Sequence, residues 1–282
     1  MQPVSELSPE VARRLLGVLT DIDDTITTDG RLPAAAYAAL ERLYEAGLAV
    51  VPITGRPAGW CDMVARFWPV TGVVGENGAF YFRYDAAARK MVRRFFATDA
   101  ERAANRKRLM ELAPRILAAV PGSAISADQL YREADLAIDF CEDVPRLPAE
   151  AVQRIVAMFE EIGATAKVSS IHINGWLGRY DKLTMTRRFA AEVLGVDLDI
   201  EKERFVFCGD SPNDAPMFGF FPNACGVANV RDFEGRIEAY PAFVASARGA
   251  EGFVEIADRI VSSRPASASG ARLAKGAAEW QR

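Results

Sequence analysis

A single histidine, His172, serves all 282 residues, and that scarcity removes two common chemistries. Zinc sites draw on closely spaced His and Cys. Any Ser-His-Asp scheme would have to use this one residue, and no GxSxG supplies its serine. The four cysteines, Cys61, Cys141, Cys208 and Cys225, form no CxxC pair. They read as small core hydrophobes in a reducing compartment, and no disulfide framework is expected. A phosphate-cradling GxxxxGK[ST] loop is also missing. No apolar run reaches the ~18 residues of a membrane span, and the opening MQPVSELSPEVARRLL carries acidic residues and lacks a long apolar core, so the expected location is cytoplasmic. Charge of one sign is lacking too: 34 basic residues stand against 38 acidic, a formal −4. That excludes any whole-molecule pull towards nucleic acid or an anionic membrane. An anionic ligand must therefore be held by a local site.

What is present is apolar bulk, 50% of the residues, enough for a large core and a second domain without crosslinks. Leu15 to Thr20 is a short apolar run of strand length. Pro33 to Ala46 is helix-forming, opened by proline and closed by Gly47. Residues 48–54, LAVVPIT, read as a second buried strand, 58–68 as a helix and 72–74 as a third strand. Apolar rather than alternating strands, separated by helices, are the pattern of an α/β fold: a doubly wound parallel sheet covered on both faces. Ligands of such sheets sit beyond the carboxyl ends of the strands, where Asp21 and Thr54 lie about one strand-helix-strand unit apart.

From about Tyr84 the texture changes. A basic helix around ERAANRKRLMELAPRILAAV, strand-like AISADQ and DLAIDF, a helix from Pro148 to Ile162, and TAKVSSIHI suit an open sheet with helices on one face. We expect an inserted α+β cap over residues 84–176, interrupting a core formed by 1–83 and 177–262. The core pattern resumes with a helix from Lys182 to Leu194, the strand RFVFCGD, short strands at ACGVAN and AFVAS, and a final helix GFVEIADRIV. The small, polar residues 263–282 read as a flexible tail.

The chemistry gathers at strand ends. Asp21 and Asp23, two positions apart in an extended segment, face the same way, whereas Asp24 points elsewhere. Two close carboxylates repel unless one is protonated or a cation sits between them. By itself such a pair is most simply a helix cap or Asx turn. A second acidic cluster, GDSPND, brings Asp210 and Asp214 after another apolar strand, and four carboxylates on one rim imply a bound metal. Few ligands, all oxygen, fit Mg²⁺, which keeps several waters and completes its shell with phosphate. The remaining nucleophile of choice is a carboxylate.

TDIDDTIT resembles the DxDx[TV] motif of the haloacid dehalogenase-like (HAD) superfamily of phosphohydrolases. VVPITGRP, Lys182 and FCGDSPND resemble its other three motifs, in the same order, so the likeness spans the core. GENGA at 75–79 and the large insert further resemble the Cof-type subclass IIB, which includes sucrose-phosphate, trehalose-phosphate and mannosyl-3-phosphoglycerate phosphatases. The resemblance implies a Rossmann-like core and a Mg²⁺-dependent phosphomonoester hydrolase. Asp21 would be the nucleophile, and Asp23 the acid that protonates the leaving oxygen and then activates water. Thr54, Gly55, Lys182 and Asn213 would hold the phosphate. Asp21, Asp210, the Asp23 carbonyl and Asp214, directly or through a ligand, would hold Mg²⁺. Asp24 is expected to orient the loop.

Substrate contacts are expected from Arg56, Asn77, His172 and Asn174, with Trp176, Arg132 and Glu133 nearby. Each has a plain structural alternative: a surface ion pair for Arg56, a tight turn for Asn77-Gly78, an outward-alternating strand for HIN and hinge packing for Trp176. Family members carry an acidic residue near the HIN strand where this chain has His172. The expected partner is a small phosphorylated metabolite, a sugar or sugar acid, and neither nucleic acid nor membrane. A phosphosugar mutase or phosphotransferase would use the same motifs, and a non-catalytic phospho-metabolite-binding domain is the third reading.

Overall fold

The computed structural model describes residues 1–169 and 171–264. The expected tail therefore lies, beyond Arg264, outside the described residues. Six strands form the core sheet, in the order Gln2–Pro3, Phe243–Val244, Cys225–Gly226, Phe205–Gly209, Gly17–Thr20 and Ala49–Pro52, and every neighbouring pair is parallel. The apolar strands alternate between two buried faces. Val18, Val50 and Val206 pack with Leu40, Phe253 and Ile256 on one side, while Leu19, Val51 and Phe207 pack with Met185, Phe189 and Phe218 on the other. Burial on both faces is why these strands carry no polar alternation. Each such side chain contributes about 1.5–3 kcal/mol. The parallel register aligns Thr20 with Pro52 and with Cys208, so the residues that follow these strands share one rim.

Two pairings escaped the sequence reading. Gln2–Pro3 adds an edge strand beside Phe243–Val244, too short to carry a periodic signal. The hairpin Phe80–Asp85 and Lys90–Phe95 pairs antiparallel with Val73–Gly75, which is bridged to the core at Ile53 and Val74. A cap beginning at 84 would cut this strand, because the change in composition there marks a half-exposed hairpin. We place the crossing into the cap after Phe95. Ahead of the first cap helix, Thr98 and Glu101 form a capping box, which fixes where that helix starts.

The cap is a four-stranded antiparallel sheet, in the order Ala124–Ile125, Asp135–Asp139, His172–Trp176 and Thr165–Val168. TAKVSSIHI is thus two strands of a hairpin. Leu136, Ile138 and Ile173 pack with Leu112, Ile155 and Phe159 of the helices Asp99–Ala119 and Ala149–Glu161. By alternation, Asp135, Ala137, Asp139, His172, Asn174 and Trp176 take the opposite face. Among the described residues no helix is long and apolar enough to cross a membrane.

Candidate active site

Lys182 opens its helix, capped by Asp181, whose side chain accepts from the Thr184 N–H at 2.7 Å. That start is fixed closely: Gly78 has φ +105°, and a Cβ there would lie 2.0 Å from the Asp181 carbonyl oxygen. From this position Lys182 Nζ donates to Asp21 Oδ1 and Asp214 Oδ1, both at 2.8 Å. Asp214 Oδ2 accepts from the Asp210 N–H at 3.1 Å, leaving both its oxygens engaged. Gly209 makes this possible, since a Cβ there would meet Asp214 Oδ2 at 2.4 Å. Thr25 Oγ1 donates to Asp210 Oδ1 at 3.3 Å.

One ammonium, bonded to two of them, thus stands among three buried carboxylates, and oxygens of Asp21, Asp210 and Asp214 lie within 4.8 Å of one another. Burial pushes Asp21 up to about 7, against the pull of Lys182 and with Asp214 adding to the rise. Asp210 is raised well above the carboxylate range, first by burial and then by Asp214 and Asp21. Burial opposes the charge on Lys182, but Asp21 and Asp214 outweigh it and raise its pKa. The donor set is all oxygen, hard and under-compensated in charge, and it fits a divalent cation such as Mg²⁺.

Asp23 stands at the mouth. Arg56 Nε lies 3.1 and 3.0 Å from its two oxygens and Nη2 2.8 Å from Oδ1, a bidentate grip. Arg56 lies over the Trp60 ring, 4.6 Å from its centroid. Its backbone N–H donates to the fully buried Thr54 Oγ1 at 3.0 Å. Asn77, at φ +53°, donates its N–H to the Thr54 carbonyl at 3.0 Å. Its Nδ2 is buried without a partner. Asp24 also has positive φ, 58°, and its N–H donates to Thr27 Oγ1.

The cap closes the other side of a cleft whose empty volume, open mouth included, is about 410 Å³. Of the residues named from sequence, Asp21, Asp23, Gly55, Arg56, Asn77, Arg132, His172, Asn174, Asp210 and Asn213 line it. Thr54, Lys182 and Asp214 lie beneath this lining, and Trp176 packs in the hinge, its Nε1 donating to the Tyr180 carbonyl. Asn174 Nδ2 donates to Asp135 at 3.0 Å. Arg132, 2% exposed, holds Asp128 and Asp135 and reaches the Gly55 carbonyl at 3.0 Å. Glu133 is exposed.

Sequence reading missed three contributors. Ser211 sits inside GDSPND and lines the cleft, so its motif was the signal. Glu76, within GENGA, is fully buried and accepts from the N–H groups of Ala58, Glu133, Ala134 and Asp135. Glu142 had no signal in the sequence, yet its Oε1 lies 3.4 Å from Arg56 Nη2 and its Oε2 2.8 Å from His172 Nε2.

No protein-family model matches the sequence, and no curated protein does. Solved structures do match. The Thermoplasma acidophilum 0175 structure is 20% identical, with 87% of this chain and 98% of that one covered at a TM-score of 0.65. The sucrose-phosphatase of Synechocystis sp., in complex with sucrose and phosphate, is 16% identical, covering 88% and 98% at 0.57. A phosphatase of the haloalkanoate (HAD) enzyme superfamily from Bacteroides thetaiotaomicron is 16% identical, covering 89% and 96% at 0.55. The chain has the fold of these solved structures, a Rossmann-like parallel core interrupted by an α+β cap.

Proposed function

We propose that this protein is a divalent-metal-dependent phosphomonoester hydrolase that works through an aspartyl-phosphate on Asp21, with a phosphorylated sugar or related polyol as substrate. The observation that carries this reading is the bridging of Asp21 and Asp214 by Lys182 beside Asp210, in the same cleft as Asp23 and Arg56. Asp21, Asp210 and the Asp23 carbonyl would hold Mg²⁺, with Asp214 steering Lys182 and the Asp210 backbone. The ion, when bound, supplies positive charge to offset that of the carboxylates and the phosphoryl oxygens.

In the first step an Asp21 carboxylate oxygen attacks phosphorus, the bond from phosphorus to the leaving oxygen breaks, and Asp23 gives that oxygen its proton. Water then attacks the same phosphorus and gives Asp23 a proton, the bond to Asp21 breaks, and phosphate leaves. Lys182 neutralises charge on Asp21 and the transferring group. Thr54 and the unpartnered Asn77 Nδ2 offer neutral contacts near the phosphate seat. The sucrose and phosphate in the Synechocystis structure, on a shared fold, support a sugar-type leaving group. An assay with p-nitrophenyl phosphate tests the reading. Release of p-nitrophenolate that requires Mg²⁺ and stops with EDTA is expected, and no release at any Mg²⁺ concentration sinks it.

A further inference from the structure

The charge distribution around the cleft bears on what the phosphate is attached to. Among the described residues, each basic side chain lining it already faces carboxylates of this chain. Arg56 is spent on Asp23 and also lies 3.4 Å from Glu142 and 3.8 Å from Asp128. Arg132 is 2% exposed, bound to Asp128 and Asp135 at 2.9 and 3.1 Å and to the Gly55 carbonyl. His172 Nε2 faces Glu142 Oε2 at 2.8 Å. Glu142 is positioned by its own turn: Asp139, 1% exposed, accepts from the N–H groups of Cys141, Glu142 and Asp143 at 2.8–2.9 Å. Among the described residues two buried donors lining the cleft make no hydrogen bond: His172 Nε2, which faces Glu142, and the neutral Asn77 Nδ2, on a residue 6% exposed.

We propose that the leaving-group side of this cleft takes a neutral, hydroxyl-rich group and rejects one bearing a carboxylate or a second phosphate, and that Glu142 enforces the choice by occupying Arg56 and His172. The inference rests on the phosphomonoesterase reading above. Hydroxyls suit a site whose cations already face carboxylates, because each can both donate and accept and brings no charge that needs a counterion. An incoming carboxylate finds no free cation and must displace Glu142 or Asp23 from Arg56. Selection therefore comes from a repulsive element as well as from attractive contacts.

Matched pairs test this: glycerol 3-phosphate against 3-phosphoglycerate, and glucose 6-phosphate against 6-phosphogluconate, with p-nitrophenyl phosphate as reference. The neutral member of at least one pair should show a kcat/KM about 100-fold or more above its acid, the scale of a like-charge penalty of several kcal/mol. In Glu142→Gln that ratio should shift towards the acid by about 10-fold or more, as His172 loses its carboxylate and Arg56 loses one of the carboxylates it faces. If the acids are used as well as the neutral esters, or if only p-nitrophenyl phosphate is hydrolysed, the leaving-group inference fails and the phosphatase reading stands. If nothing is hydrolysed, both fail. An unchanged ratio in a folded Glu142→Gln removes Glu142 from the assignment, and the wild-type ratio stands as a test even if that variant does not fold.

Discussion

Asp23 shows how much one residue's role depends on its neighbours. Its carboxylate is gripped by Arg56 and lines the cleft, and the proposed mechanism has it hand a proton to the leaving oxygen. p-Nitrophenolate leaves without a proton, whereas a sugar alkoxide does not. Asp23→Asn should therefore slow an alkyl phosphate such as glycerol 3-phosphate by about 10²–10⁴-fold, and p-nitrophenyl phosphate much less in its first chemical step. Equal loss of the pre-steady-state burst on both would remove the acid role. Asp21, Asp23, Thr54 and Lys182 were legible because each sits at a strand end or helix start that the local pattern announces. Glu142 and the pairing of Arg132 were not. Their partners are fixed by how the cap sheet folds back over the rim, and no spacing in the chain records that.

At the scale of elements, the decisive contact is Glu76. It follows the strand Val73–Gly75, yet it receives three N–H groups from the cap segment 133–135 and one from Ala58 at the start of its helix. Glu76→Ala leaves these donors unpaired, at about 1–3 kcal/mol for each one that stays buried. The expected result is faster hydrogen exchange at the Glu133, Ala134 and Asp135 amides together with a Tm lower by about 5 °C or more. Unchanged protection there would mean that the cap is held by other contacts. The core strands were readable because burial on both faces leaves continuous apolar runs. The pairing of Thr165–Val168 with His172–Trp176 was not, since both strands are short. The expected boundary at residue 84 falls inside the strand Phe80–Asp85, whose pairing with Val73–Gly75 composition does not announce.

Taken whole, the molecule concentrates buried acid where core and cap meet, and this sets a pH dependence. Burial, and then Asp135, push Glu76 up to about 8 from an ordinary value of 4.5, with Arg132 and the backbone N–H groups opposing. The folded protein thus keeps a proton that the unfolded chain releases near 4.5. The stability this contributes is complete below pH 4.5 and is lost as pH rises through 8. Between pH 5 and 8 the Tm of the wild type should fall relative to that of Glu76→Ala, and parallel profiles would assign the proton elsewhere. The fold class and the rim were visible in sequence because they follow from strand burial and parallel topology. The division of charge across the cleft emerges only when core and cap meet.

The central claim is that Asp21 is the nucleophile, and the most direct measurement is the Mg²⁺-dependent turnover of p-nitrophenyl phosphate by Asp21→Asn. The amide is nearly isosteric with the carboxylate but is not a competent nucleophile. Turnover below about 1% of wild type, a loss of about 3 kcal/mol or more in transition-state stabilisation, is expected from a protein that still folds cooperatively. Retention of more than a few per cent of wild-type activity would contradict a covalent intermediate on Asp21.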